Sequence, residues 1–166
     1  MELDTFIELV KNRFDFFMKE GAFIVVSGCR YGNCAVILQV NGYKLKIIYE
    51  RGGVEVGAAV IDAPNDSFSG SYELTTLISF ITRGPTRVSL RYNFDWMGDE
   101  RATVDHQLVH IVEIFTPYWG IISDFFVKEG FKERIKGYNK FQEEELERRG
   151  QENAERNKSI LGARKK

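Results

Sequence analysis

Two pairs of side chains have the types and spacing from which chemistry could be built: Cys29-x4-Cys34 and His106-x3-His110, which are all the cysteines and histidines of the 166-residue chain. Each pair has a spacing that zinc ligands use, and two histidines four apart share one face of a helix. One reading is therefore a zinc-binding protein held by Cys29, Cys34, His106 and His110. Against it, more than 70 residues separate the pairs, whereas compact zinc modules use about 12, and structural zinc usually serves chains that lack a core. The competing reading is two ordinary thiols and two surface or boundary histidines, with no metal site. Gln107 stands where a zincin places its general-base glutamate.

The same residues could be assembled as a cysteine nucleophile, with His106 or His110 as base and Glu113 or Asp105 as orienting acid. Cys29 falls at a strand end rather than a helix start that would favour the thiolate, which argues for a structural role. No phosphate-cradling glycine loop and no G-x-S-x-G elbow occurs in the sequence. With 24 acids, chance proximity is expected, so a carboxylate-dependent enzyme stays an alternative without nameable residues. No catalytic residue and no cofactor is assigned.

The stretch from Tyr92 to Glu100 offers a different chemistry. It gathers Tyr92, Phe94, Trp96 and Met97 with Asp95, Asp99 and Glu100, and aromatic anchors ringed by charge have the composition of a protein-binding hot spot. Asp95, Trp96, Asp99 and Glu100 are the candidate partner contacts. The rival explanation turns the aromatics into the core and leaves the acids to solvate a loop. Asp62, Asp66 and Glu73 form a second acidic group, read as surface solvation.

The elements that must position these residues follow from periodicity. Phe6, Leu9, Val10, Phe14, Phe17 and Met18 recur at helical spacing between a capping Asp4 and Gly21. Four strand-like runs come next, Ala22 to Cys29, Cys34 to Val40, Tyr43 to Glu50 and Val54 to Ile61. Their separating Gly and Asn residues suit tight turns, which predicts a four-stranded antiparallel meander. Alternation in the third run predicts one apolar face and one that meets water. A helix is expected over Tyr72 to Arg83, with Ser71 as its N-cap, and the alternation of residues 87–96 reads as a fifth strand whose place in the sheet is left open. Helical spacing resumes at Val104, breaks or kinks at Thr116-Pro117, and supports a further helix from Phe131 to Phe141. The expected fold is α+β: an N-terminal helix, an antiparallel sheet with helices on one face, and a helical C-terminal half. Residues 1–147 are expected as a single domain and 148–166 as a polar, charged tail, frayed helix or disorder.

Composition bounds the partners. The chain is 43% hydrophobic and 28% charged, with formal net charge -1, the balance of an ordinary globular domain. Met1 to Val127 carries 11 basic and 16 acidic residues, a net of -5, and Lys128 to Lys166 carries 12 and 8, a net of +4. Only Arg164-Lys165-Lys166 is purely basic, too short a footprint for nucleic acid. No apolar run reaches the roughly 20 residues a membrane span needs, and the acidic start is unlike a signal peptide. A cytoplasmic protein with a protein partner is expected, binding neither nucleic acid nor membrane.

The run Lys44-Leu45-Lys46-Ile47-Ile48-Tyr49-Glu50-Arg51-Gly52-Gly53-Val54-Glu55-Val56, followed by Tyr72-Glu73-Leu74-Thr75-Thr76-Leu77-Ile78-Ser79-Phe80-Ile81, resembles small bacterial immunity proteins of polymorphic toxin systems. The likeness covers about the first half of the chain. It implies stoichiometric binding of a toxin, with no catalytic residues to carry over. An acidic body would complement a basic toxin domain such as a nuclease, since opposite charge speeds encounter and discriminates partners.

Overall fold

A computed structural model gives the fold and describes residues 1–30, 33–40, 42–65, 71–82, 96–127 and 129–163. It is α+β. Helices α1 (Leu3–Arg13) and α2 (Asp15–Lys19) lead into strands β1 (Phe23–Arg30), β2 (Asn33–Val40), β3 (Tyr43–Glu50), β4 (Gly53–Val60) and β5 (Ser71–Glu73). Then come α3 (Leu74–Thr82), α4 (Glu100–Phe115), a 3-10 turn at Thr116–Tyr118, α5 (Trp119–Phe125) and α6 (Phe131–Ala163). The strands form one antiparallel sheet in the order β1-β2-β3-β4-β5. By its contacts the chain divides into Met1–Lys128 and Glu129–Lys166. The second unit is the 33-residue α6, continuous across position 147.

Alternation sets one face of the sheet. Val36, Leu38 and Val40 of β2, Tyr43, Leu45, Ile47 and Tyr49 of β3, and Val54, Val56 and Ala58 of β4 are all buried. Helices α1, α2 and α4 and the end of α5 supply the rings that close this face. Phe6 meets Tyr49, Phe17 meets Phe115 edge-on at 5.5 Å, and Tyr43 stacks on Phe126 at 5.0 Å. Such pairs add about 0.5–1.5 kcal/mol each beyond the area they bury.

The other face differs from expectation. Lys44 and Lys46 were expected to meet water, yet they are 7% and 0% exposed, beside buried Ile37 and Ile48. The segment after β4 crosses here. Lys44 Nζ donates to the Ala63 carbonyl at 2.7 Å and Lys46 Nζ to the Pro64 carbonyl at 2.8 Å. Lysine stems can cover apolar surface provided the ammonium finds acceptors, and these carbonyls are such acceptors.

Other departures are local. The first helix is broken at Phe14, whose ring is fully buried, and Glu2 rather than Asp4 occupies the N-cap position. Ser71 to Glu73 pair with β4 instead of opening a helix, and α3 starts at Leu74. The pairing is close: a Cβ at Gly57 would lie 3.2 Å from Ser71 Cβ, so a side chain there would press on β5. The expected fifth strand over 87–96 lies outside the described residues up to Asp95. The fifth strand of the sheet is β5.

The β3–β4 hairpin turns on Arg51 and Gly52, both at positive φ, 52° and 85°. A two-residue turn with this geometry matches the strand twist, but arginine enters the left-handed region at a cost that asparagine and glycine largely avoid. Arg51→Asn is expected to stabilise the fold by about 0.5–1 kcal/mol, read as a higher urea midpoint at unchanged slope. A lower midpoint would contradict this account of the turn.

Candidate interaction site

Helix α4 is the element on which the candidate residues hang. Val104, Leu108, Ile111 and Phe115 form its buried stripe, and Gln107 lies within that stripe, 1% exposed. The Gln107 amide is not wasted. Its Oε1 accepts from the Val54 N–H at 2.7 Å and its Nε2 donates to the Gly52 carbonyl at 3.0 Å. One side chain thus satisfies a donor and an acceptor of the β3–β4 hairpin and fixes where α4 lies along the sheet. Gln107→Leu would leave the buried Val54 N–H without its partner and the part-buried Gly52 carbonyl without its amide, and is expected to cost about 1–3 kcal/mol. Gln107→Glu should also destabilise, since a carboxylate faces the Gly52 carbonyl. Urea denaturation of both variants tests this, and a loss under about 0.5 kcal/mol for either would contradict it.

The start of α4 is fastened as firmly. Asp99 is the N-cap, its Oδ1 accepting from the Ala102 N–H at 2.8 Å. The buried Thr103 hydroxyl donates to the Asp99 carbonyl at 2.7 Å and accepts from the Met97 N–H at 3.0 Å. That second bond pins the chain just before the helix and leaves Trp96 and Met97 turned outward, 66% and 49% exposed. Trp96 therefore does not point into the core.

Beside this corner lies an open groove of about 340 Å³ between α1 and α4, lined by Leu9, Asn12, Arg13, Asp99, Arg101 and Asp105 among others. Its charges are paired across the two helices. Arg13 grips Asp105 with both arms of its fork, at 2.6 and 2.5 Å, and Arg101 meets both carboxylate oxygens of Glu8 at 3.3 Å. Exposed pairs contribute little stability, but a bidentate arginine fixes geometry.

Glu100 is turned to a different task. Its Oε2 lies 2.6 Å from the Met1 amine and its Oε1 accepts from the Tyr49 hydroxyl. The Met1 amine first, and Tyr49 second, hold the Glu100 carboxyl below its usual range. Burial, then the Glu100 carboxylate, pushes Tyr49 up to about 12. Burial moves Tyr43 upward as well, against a smaller opposing pull from Ser123.

Among the candidate contacts, the structure brings Trp96 and Asp99 to one exposed corner and gives Glu100 a bridging role at its edge, while Asp95 lies outside the described residues. The four cysteine and histidine positions do not assemble. Cys29 and Cys34 are not the ordinary thiols that the sequence suggests; they are joined in a disulfide, because the β1–β2 register sets them directly opposite with Cα atoms 4.1 Å apart. His106 is exposed on α4, and no group of three or more Cys, His, Asp or Glu able to hold a metal occurs among the described residues. Asp105, considered as an orienting acid, is spent on Arg13. Glu73, from the second acidic group, accepts from the Thr75 and Thr76 hydroxyls, and Asp62 is exposed. No helix among the described residues is long and apolar enough to cross a membrane.

Sequence reading places Met97 in the aromatic stretch without making it a contact, and gives no sign of the Thr103 bonds, the task of Gln107 or the Arg13–Asp105 bridge. The bridge spans 92 positions, a separation at which no local pattern speaks. Compared with protein-family models, curated proteins and solved structures, the chain finds no match in any of the three.

The Tyr49 arrangement gives a pH dependence. A phenol harder to ionise when folded contributes stability that is whole below the unfolded value near ~10 and is lost as pH rises through the folded value. Stability should thus hold steady up to about pH 10 and fall between about 10 and 12. Tyr49→Phe should lessen that fall without abolishing it, because Tyr43 also contributes. Urea denaturation at about pH 8 and about pH 11 measures the difference; an identical alkaline fall in the variant would contradict the assignment.

Proposed function

We propose that this chain is a non-catalytic protein-binding module whose contact face is the corner of Trp96 and Met97 with the adjoining α1–α4 groove. The observation that carries the reading is the exposure of Trp96 and Met97 on a backbone pinned by Thr103. A large aromatic held outward on a fixed frame loses little freedom on binding, which is what an interface anchor requires. Asp99 adds charge at its rim, and Arg13, Arg101, Asp105 and Glu8 offer paired polar groups that a partner can meet without burying a lone charge.

The narrower form of the proposal follows the resemblance: an immunity protein of the cytoplasm that neutralises a cognate bacterial toxin by stoichiometric binding. The net charge of -5 over Met1 to Val127 favours a basic toxin domain such as a nuclease. Asp95 stands in this reading as an acidic contact, and Glu100, whose carboxylate already bridges the Met1 amine and Tyr49, as charge at the edge of the face.

The test is co-expression with a toxin-domain protein encoded beside this chain, followed by calorimetric titration. One-to-one binding is expected, with Trp96→Ala weakening it by about 30-fold or more and Met97→Ala by less. Circular dichroism should be unchanged in both variants. Wild-type affinity in Trp96→Ala and Met97→Ala together would place the contact face elsewhere.

A further inference from the structure

The disulfide sits in an unusual place for a structural staple. Cys29 and Cys34 face each other on adjacent strands, one residue pair from the hairpin turn, and are only five positions apart in sequence. A cross-link restrains the unfolded chain more as the loop it closes grows longer, so a link across so short a hairpin restrains it least. The strand register already holds the sulfurs together, bonded or not.

The two cysteines also differ in exposure. Cys29 is exposed on β1, an edge strand of the sheet, whereas Cys34 is 1% exposed. Cys34 Sγ lies 3.6 Å from the Met1 carbonyl oxygen. A disulfide sulfur has no hydrogen to give, but a Cys34 thiol could donate to that oxygen, so the reduced form has an acceptor in place. One cysteine open to solvent, one shielded cysteine with its own acceptor, and a bond that adds less to the fold than one closing a longer loop are the parts of a reversible site.

We propose that Cys29–Cys34 is a thiol–disulfide exchange site whose substrate is a small soluble thiol of the glutathione class, with Cys29 as the attacked sulfur and Cys34 as the resolving one. The external thiolate attacks Cys29 Sγ; the new sulfur–sulfur bond forms as the Cys29–Cys34 bond breaks. The electron pair leaves on Cys34, which takes a proton and donates to the Met1 carbonyl. A second external thiolate then attacks the external sulfur of the mixed disulfide and releases Cys29 as a thiolate, which is protonated in turn. Two small thiols become one small disulfide, and two electrons and two protons pass to the protein. Oxidation is the reverse, with the Cys29 thiolate attacking the small disulfide and Cys34 closing the bond.

The experiment treats the full, air-oxidised chain with reduced glutathione at neutral pH without denaturant, quenches in acid and maps adducts by peptide mass spectrometry. The expected course is a transient glutathione adduct on Cys29, then two free thiols with unchanged circular dichroism. Cys34→Ser with oxidised glutathione should hold a lasting adduct on Cys29, and Cys29→Ser should react at Cys34 at least about tenfold more slowly. Reduction that needs denaturant, a first adduct on Cys34, equal rates in the two variants, or free thiols persisting in the air-oxidised chain would each overturn the proposal. Loss of the folded signal on reduction would do so too, since it would make the bond a staple.

Discussion

The seat of α4 on the sheet is the constraint from which the arrangement of this molecule follows. An amphipathic helix lying on a β-sheet is free to slide, because apolar contacts are not directional. Gln107 removes that freedom by presenting one acceptor and one donor to one donor and one acceptor of the β3–β4 hairpin, at the middle of an otherwise apolar stripe. A buried amide satisfied on both sides fixes a register that Leu108 or Ile111 alone would leave open.

With that register set, the rest of the surface is determined at short range. The N-terminus of α4 falls beside Tyr49 and Met1, where Glu100 closes a three-way polar contact. The same placement lets Arg13 of α1 reach Asp105 and Arg101 reach Glu8. The segment entering α4 is held by Thr103, and Trp96 and Met97 face solvent on it. The proposed contact face is thus a product of the core: the groove and its aromatic corner are where a well-seated helix begins.

Much of the scaffold was legible because its signals are local. Turn residues at Asn41-Gly42 and Arg51-Gly52, with period-two strands between them, give the meander, and β3 matches its expected span residue for residue. Thr116-Pro117 marks the break between α4 and α5 as a 3-10 turn. What local pattern could not show is pairing over distance. Buried Lys44 and Lys46 read as solvent-facing because their carbonyl partners lie 19 and 18 residues on. Gln107 read only as the absence of a glutamate, because its partners are backbone atoms more than 50 residues earlier. Of the candidate site, Trp96 and Asp99 were named from composition alone, whereas the groove was not, since each of its walls is an unremarkable helix in sequence. The disulfide is a different case: Cys29 and Cys34 flank the first hairpin turn in sequence, but their spacing suits metal ligands and free thiols equally well, and only the strand register sets them directly opposite.

The claim that α4 and the β3–β4 hairpin form one cooperative seat is tested most directly by native-state hydrogen exchange resolved at single amides. The Val54 amide and those of the buried α4 stripe are predicted to open together, at a free energy matching β3 and close to that of global unfolding. Exchange of the α4 amides through a separate opening of lower energy, with Val54 exchanging as freely as the Arg51–Gly52 turn, would contradict it.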